Sequence, residues 1–122
     1  MKIAIPVNEG SLESKVAENL SRAPYFLIYD LDAKESVFIK NVAATTRGGA
    51  GIMAAQTIVD QKVNALLAPR CGENAADLLN EAEIKIYKIS STSIKDNIKD
   101  FSAGNLQLLD DIHPGFHGQK DS

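Results

Sequence analysis

The chain has 122 residues and a formal net charge of −3, from 13 basic and 16 acidic side chains. Its length suits one domain. Its hydrophobic share of 44% and charged share of 24% argue against disorder and against a membrane protein. The acidic excess, with no basic run, argues against a nucleic-acid-binding protein, because phosphate recognition needs a basic surface.

The first residues of the chain and its cysteine content indicate where in the cell we expect the protein. Residues 1–7 hold only a short apolar stretch, broken by Pro6, which is shorter than a signal-peptide core or a membrane span. The single cysteine, Cys71, cannot form an internal disulfide and fits a reducing compartment. We therefore expect a cytoplasmic protein with no membrane partner.

The first 42 residues predict three strands. Residues 2–7 are apolar at nearly every position and end at a turn-forming Asn-Glu-Gly cluster, which predicts a buried first strand. Residues 8–24 show no period, and a loop of this length is either functional or a surface excursion. Residues 25–31 and 36–42 are rich in aromatic and β-branched side chains around a polar turn, so we predict a hairpin antiparallel to the first strand.

The middle of the chain predicts helix, strand, helix, strand. A glycine-rich connector over residues 43–51 opens a helix with an apolar stripe at Ile52, Ala55 and Val59. Residues 63–68 predict a strand buried on both faces. The second helix has the helical spacing Ala75, Leu78, Leu79, Ala82, and residues 84–89 predict the next strand. Since 15 residues that include a helix separate the two strands, we expect a parallel, right-handed crossover.

A third helix and a tail complete the chain. Ser93, with an acid three residues later, is a typical N-cap, and Gly104 is the predicted stop of a helix that turns Ile94, Ile98 and Phe101 toward the core. Residues 110–122 lack periodicity and predict a flexible tail. We therefore expect a single domain over residues 1–109.

The segment around Cys71 is the main candidate site. Residues 69–74 follow a predicted parallel strand and begin a helix, which is where open α/β sheets bind ligands. First-turn amides favour anions, the helix dipole lowers the pKa of a thiol, and Arg70 adds positive charge. A thiolate there could ligate iron in a sulfide cluster. The alternative is a small cysteine that only fills space.

Two further motifs are weaker. The Gly48-Gly49-Ala50-Gly51 stretch matches neither the dinucleotide fingerprint nor a P-loop, and conformational freedom at the start of a helix also explains it. His113 and His117 have a metal-compatible spacing, but a Pro-Gly between them argues against a helix that would fix them. The first strand carries none of the acidic side chains that two-metal nuclease chemistry needs, and the only histidines, His113 and His117, lie in the predicted flexible tail, so we expect a protein that is not an enzyme.

Several segments, taken in order, resemble the dinitrogenase iron-molybdenum cofactor biosynthesis family over residues 1–109. They are residues 1–6, Arg22-Ala23-Pro24-Tyr25-Phe26, the glycine-rich helix start, Cys71-Gly72-Glu73-Asn74-Ala75 and Ile84-Lys85-Ile86-Tyr87. The resemblance implies an α/β, ribonuclease-H-like three-layer fold without nuclease activity. Its five-stranded mixed sheet would have strand order 3-2-1-4-5, with helices on its faces. The resemblance also implies a carrier of iron-sulfur or iron-molybdenum cofactor precursors, with cofactor-assembly proteins as partners.

The chain departs from the family pattern in three places. Asn19-Leu20-Ser21 stands where members often have His-Phe-Gly, so a histidine ligand is missing. Many members lack a cysteine after the fourth strand, which makes Cys71 a local feature. Lys62 and Glu83 stand where the resemblance leads us to expect a glycine after a helix. A left-handed residue there would cost about 1–2 kcal/mol each.

These observations predict a non-enzymatic carrier of an iron-sulfur or iron-molybdenum-type cluster, bound in a crevice between the loop after Val7 and the loop at Cys71. The predicted metal ligands are Cys71, His113 and His117, and a homodimer or the tail histidines would supplement the single thiolate. The predicted cofactor-binding residues are Asn8, Arg22, Gly48, Gly49, Arg70, Gly72 and Asn74.

Two alternatives stay open. The chain could be a small-anion or nucleotide-binding regulatory domain with no metal role, which would use the glycine-rich helix start and Gly72. It could also be an enzyme acting through Cys71, which predicts rapid alkylation of that thiol near neutral pH.

Overall fold

The structure, a computed structural model, describes residues 1–109 and 112–113, the last two by their backbone. Its elements follow the chain in an order that places a hairpin before two strand-helix crossovers. They are β1 (Lys2–Val7), β2 (Tyr25–Asp30), β3 (Glu35–Lys40), a 3-10 turn (Val42–Thr45), α1 (Ala50–Asp60), β4 (Ala65–Ala68), β5 (Cys71–Gly72), α2 (Glu73–Glu81), β6 (Lys85–Lys88), α3 (Ile94–Ser102) and β7 (Ile112–His113).

A mixed sheet of five strands, in the order β3-β2-β1-β4-β6, forms the centre of the molecule. Strand β1 pairs antiparallel with β2 and parallel with β4, and β4 pairs parallel with β6. The predicted order 3-2-1-4-5 is confirmed, because the fifth long strand is β6. The two-residue strands β5 and β7 pair with each other outside this sheet.

The two faces of the sheet bury separate clusters. Because side chains alternate along a strand, β1 directs Ala4 toward the side covered by α1 and α2, and Ile3 and Ile5 toward the side covered by α3. All three side chains are fully buried. Strand β4 is buried at every position, as expected for a central parallel strand.

The predicted apolar stripe of α1 is wrong at Ile52, whose side chain is 49% exposed. The helix instead buries Ala50, Ala54, Ala55 and Ile58. Small residues form this face because α1 lies close to α2. A Cβ atom placed on Gly51 would lie 4.0 Å from the Cβ of Ala75. In α2, Ala75 and Leu79 are buried as predicted. Ala82 is exposed and follows the end of the helix.

The third helix begins and ends where the sequence predicts. The Ser93 hydroxyl accepts a hydrogen bond from the Asp96 backbone N–H at 3.2 Å, and Gly104 has φ of +77° just beyond the last turn. The side chain of Asn97 is fully buried. Its amide donates to the carbonyl oxygens of Ser91 and Ser93, each at 2.7 Å, and so fixes the loop before the helix.

Among the residues described, no helix is long and apolar enough to cross a membrane. Of the predicted flexible tail, residues 112–113 form β7, and the remainder, including His117, lies outside the described residues.

The residues that stand in place of the expected glycines after α1 and α2 are both left-handed. Lys62 has φ of +58° and Glu83 has φ of +63°. The connector of the β2-β3 hairpin holds a third residue of this kind, Lys34, with φ of +57°, which we did not predict. Non-glycine residues rarely adopt this conformation, since Cβ approaches the backbone.

Replacing Lys62 with glycine is therefore expected to stabilise the fold. Removing Cβ relieves the strain at positive φ, although glycine also gains freedom in the unfolded chain, so we expect a net gain of about 0.5–1 kcal/mol. Urea denaturation measures the free energy of unfolding. The matched control, Lys62→Ala, loses the same charge but keeps Cβ and should show no gain. Equal effects of the two variants would contradict the strain at this position.

Candidate functional site

A groove of about 880 Å³ opens beyond the carboxyl end of β4. It lies where open α/β sheets bind ligands. Three segments line it, namely the end of the first loop, the start of α1 and the start of α2. The lining residues are Asn19, Leu20, Ser21, Arg22, Arg47, Gly48, Gly49, Ala50, Gly51, Ile52, Arg70, Cys71, Gly72, Glu73, Asn74 and Ala75.

Two helices direct their N-termini into this groove. Gly49 is the N-cap of α1, with φ of +69°, and Gly72 is the N-cap of α2. Because both N-cap residues are glycines, neither has a side chain that could cap the first-turn N–H groups. A helix N-terminus carries a partial positive charge and unpaired donors. The groove therefore holds two sets of backbone donors suited to an anion.

All three arginines of the sequence line this groove, whereas none of the nine lysines in the described part of the chain does. The guanidinium groups belong to Arg22, Arg47 and Arg70, and all three residues are exposed. Among the described residues, Glu73 is the single acidic residue in the lining, so their formal charge at the groove is +2 on a chain of net charge −3. Arginine presents a planar fork of donors to an anion and sheds water more readily than lysine. Charge and hydrogen-bonding capacity thus point to the same class of ligand.

Arg22 also joins two walls of the groove. One terminal nitrogen of its guanidinium donates to the carbonyl oxygens of Ala44 at 3.0 Å and Thr46 at 2.7 Å. The first loop is also held by Asn41, at the start of the same 3-10 turn, whose side-chain amide donates to the carbonyl oxygens of Ser21 at 3.1 Å and Ala23 at 2.9 Å. Asn41 is buried, so these bonds are sheltered from water. The end of the unpatterned loop is therefore fixed against the connector that leads to α1.

The thiol of Cys71 lies in the wall of the groove but is only 1% exposed. Its Sγ donates a weak hydrogen bond to the Gly72 carbonyl oxygen at 3.5 Å. Burial raises the pKa of the thiol to about 11. The expectation of a lowered pKa is wrong, because burial removes water that would stabilise the thiolate. Cys71 is a protonated thiol at neutral pH.

The structure brings together most of the predicted site residues. Seven of them line the groove, namely Arg22, Gly48, Gly49, Arg70, Cys71, Gly72 and Asn74. Asn8 is not in the lining, and its backbone N–H donates to the Lys15 carbonyl oxygen at 3.1 Å. The backbone of His113 pairs beside Gly72 in the β5-β7 ladder. His117 lies outside the described residues.

Sequence reasoning missed Arg47 and Asn19. The amino-acid composition could have pointed to Arg47. The chain has only three arginines, and each lies in a predicted loop or next to a glycine-containing segment. Asn19 orders the loop, because its side-chain oxygen accepts from the Ser21 backbone N–H at 3.0 Å and the Arg22 backbone N–H at 3.3 Å.

Metal ligands are not concentrated here. Within the described residues, no group of three or more histidine, cysteine, aspartate or glutamate side chains could hold a metal ion. The arrangement can bind and orient an anion through guanidinium and amide N–H groups. It offers no ready thiolate to bond a metal directly.

Comparison with known proteins identifies the family. The sequence profile of the dinitrogenase iron-molybdenum cofactor family matches residues 1–104, and the chain belongs to this family. An uncharacterized protein of Methanocaldococcus jannaschii is 29% identical over 113 residues, which cover 90% of this chain and 92% of that protein.

Two solved structures are similar over most of their length. The apo form of the orange protein from Desulfovibrio gigas aligns with a TM-score of 0.84 at 25% identity, covering 90% of this chain and 93% of that one. A NifB-like protein from Thermotoga aligns with a TM-score of 0.77 at 31% identity, covering 88% of this chain and 92% of that one. These likenesses support the same five-stranded architecture.

Slow alkylation of Cys71 follows from its burial. At pH 8 a thiol whose pKa is about 11 rather than 9.0 has about 100-fold less thiolate. We expect the folded protein to react with iodoacetamide at least about 100-fold more slowly than a cysteine peptide, with the rate rising about tenfold per pH unit toward pH 11. The urea-unfolded protein is the control and should react at the peptide rate. Rapid reaction of the folded protein near neutral pH would favour an enzyme that acts through Cys71.

Proposed function

We propose that this protein is a non-enzymatic carrier of an anionic metal-sulfur cluster, of the iron-sulfur or iron-molybdenum type, or of its precursor. The groove between the first turns of α1 and α2 would hold the cargo. The observation that carries the proposal is the concentration of all three arginines at this groove, in a chain that belongs to the iron-molybdenum cofactor family.

The chemistry of the groove matches an anion that already has its own sulfides. Such a cluster exposes sulfur atoms that accept hydrogen bonds, and its negative charge is favoured by guanidinium groups and helix N-termini. The cargo would then be held by charge and hydrogen bonds, and no bond from Cys71 to the metal would be needed. A volume of about 880 Å³ lies within the range of small-molecule pockets.

A carrier role agrees with the groups that line the groove. The lining offers one carboxylate, on the exposed residue Glu73, and a thiol that is protonated. The protonated thiol is a poor nucleophile at neutral pH. A carrier would receive its cargo from cofactor-assembly proteins and pass it to others. A homodimer is not required, because three arginines of one chain already supply the charge.

Anaerobic reconstitution tests the proposal. The probe is ferrous iron with sulfide, with and without molybdate, followed by desalting and visible absorption. We expect the wild type and Cys71→Ala to retain a coloured cluster to the same extent. The double variant Arg47→Gln/Arg70→Gln should bind at least about tenfold more weakly, because hydrogen bonds to charged groups are worth about 1.5–3 kcal/mol each when well formed.

A matched control separates local charge from net charge. Lys62→Gln/Lys85→Gln removes the same two charges from lysines that are not in the lining, and it should bind as the wild type does. Loss of colour in Cys71→Ala with retention in the arginine variant would show thiolate ligation instead. A colourless wild type under all conditions would contradict a cluster carrier.

A second candidate function is a regulatory domain that binds a phosphate-bearing ligand. It is favoured by the uncapped first turns of two helices and by the lack of a three-ligand metal group in the described part of the chain. Phosphate is recognised by the same donors.

Thermal stabilisation distinguishes this second function. A nucleotide or inorganic phosphate that binds the groove should raise the Tm, since a ligand that binds only the folded state stabilises it. The increase should persist in Cys71→Ser and disappear in Arg47→Gln/Arg70→Gln. If no compound in a nucleotide panel shifts the Tm of the wild type, the phosphate-binding function is contradicted.

A further inference from the structure

The chain returns to the groove after α3. The backbone N–H of Lys88 donates to the Gln107 carbonyl oxygen and that of Leu109 donates to the Ile86 carbonyl oxygen, each at 2.8 Å. The Leu109 side chain is buried in the cluster on the side of the sheet covered by α1 and α2. Residues 107–109 are therefore fastened along β6, at the edge of the sheet.

Three residues after this anchor, β7 pairs in parallel with β5. The register places Ile112 beside Cys71 and His113 beside Gly72. The two residues of β5 also belong to the candidate site. Both line the groove, and Gly72 is the N-cap of α2. The pairing thus joins β7 to the wall of the groove and to the start of one of the two helices that face it.

The pairing is short, so it is readily reversed. A ladder of two residues makes few hydrogen bonds, and isolated pairs of strands are marginal in water. The net stabilisation by a hydrogen bond is similar in size to the entropy cost of ordering a residue. The anchor at residues 107–109 limits how far β7 can move from β5, which keeps the local concentration of the strand high.

We propose that β7 is a latch that holds the Cys71–Gly72 wall of the groove in place when it is docked on β5, and that its release opens this wall. Undocking would expose β5 and loosen the first turn of α2. The consequence for cargo rests on the proposed function: a cluster bound to the closed wall would favour the docked latch, and the docked latch would slow release of the cluster. The latch itself is testable on the protein without any cargo.

The test uses Cys71 as a reporter of the state of the wall. Its reaction with a thiol reagent at pH 8.5 is followed in three forms, the full chain, a chain that ends at His113 and a chain that ends at Leu109. The chain that ends at Leu109 lacks β7 and should react at least tenfold faster than the full chain. The chain that ends at His113 keeps β7 and should react at the same slow rate as the full chain.

Hydrogen exchange distinguishes local opening at the groove from a general loss of folding. In the chain that ends at Leu109, amides of residues 72–75 should exchange faster, whereas amides of β1 and α3 should keep their protection. If the truncated chain does not fold, the variant Ile112→Pro in the full chain is used in its place. Proline cannot donate a hydrogen bond to the β5-β7 ladder. Alkylation of Cys71 and hydrogen exchange are then measured in the same way.

Equal alkylation rates in all three forms would overturn the latch, as would a fast rate in the chain that ends at His113. Failure of the cluster-binding proposal would look different. Reconstitution would then give a colourless wild type, while removal of β7 would still speed alkylation. The two experiments thus test the latch and the cluster-binding proposal independently.

Discussion

The close contact between α1 and α2 is the constraint on which the site depends. The facing surfaces carry alanine and glycine, and the space between Gly51 and Ala75 would be filled by a single Cβ atom. Because both helices follow the same crossover pattern on one face of the sheet, their first turns lie side by side at the carboxyl end of β4. A methyl group at Gly51 would just reach van der Waals contact with Ala75, which shows how closely the first turns of the two helices approach.

Given this scaffold, the local charge follows from three arginines in three different segments. Each comes from a segment that the fold brings to the groove, namely the first loop, the connector before α1 and the turn after β4. Arg22 is already partly engaged with backbone carbonyl oxygens, which orders the walls, whereas Arg47 and Arg70 make no hydrogen bond or ion pair among those described. Their charge is therefore available to a ligand, and it is locally positive on an acidic protein.

The fold was largely predictable because its elements have strong local patterns. The hairpin of β2 and β3, the parallel crossover to β6 and the Ser93 cap all appear where period and capping residues place them. The stripe of α1 was wrong at Ile52 because periodicity favours large apolar residues, whereas this contact selects small ones. Hydrophobic pattern alone does not reveal how closely two helices approach.

The site was predictable only in outline, because its properties arise from tertiary contacts. The segment around Arg70 and Cys71 was predicted to be a site because it follows a parallel strand. The raised pKa of the thiol depends on burial, which the neighbouring residues in sequence do not report. Arg47 was missed because its segment has no pattern, and the pairing of β7 with β5 was missed because a two-residue strand leaves no periodic signal.

Under the proposed function, the groove carries an anionic metal-sulfur cluster held by arginines. Elemental analysis of the protein purified without oxygen from its native cells, with acid-labile sulfide measured on the same sample, tests it most directly. We predict metal and sulfide in a fixed ratio, near one cluster per chain, and their loss from Arg47→Gln/Arg70→Gln but not from Cys71→Ala. Protein that contains neither metal nor sulfide would contradict the account.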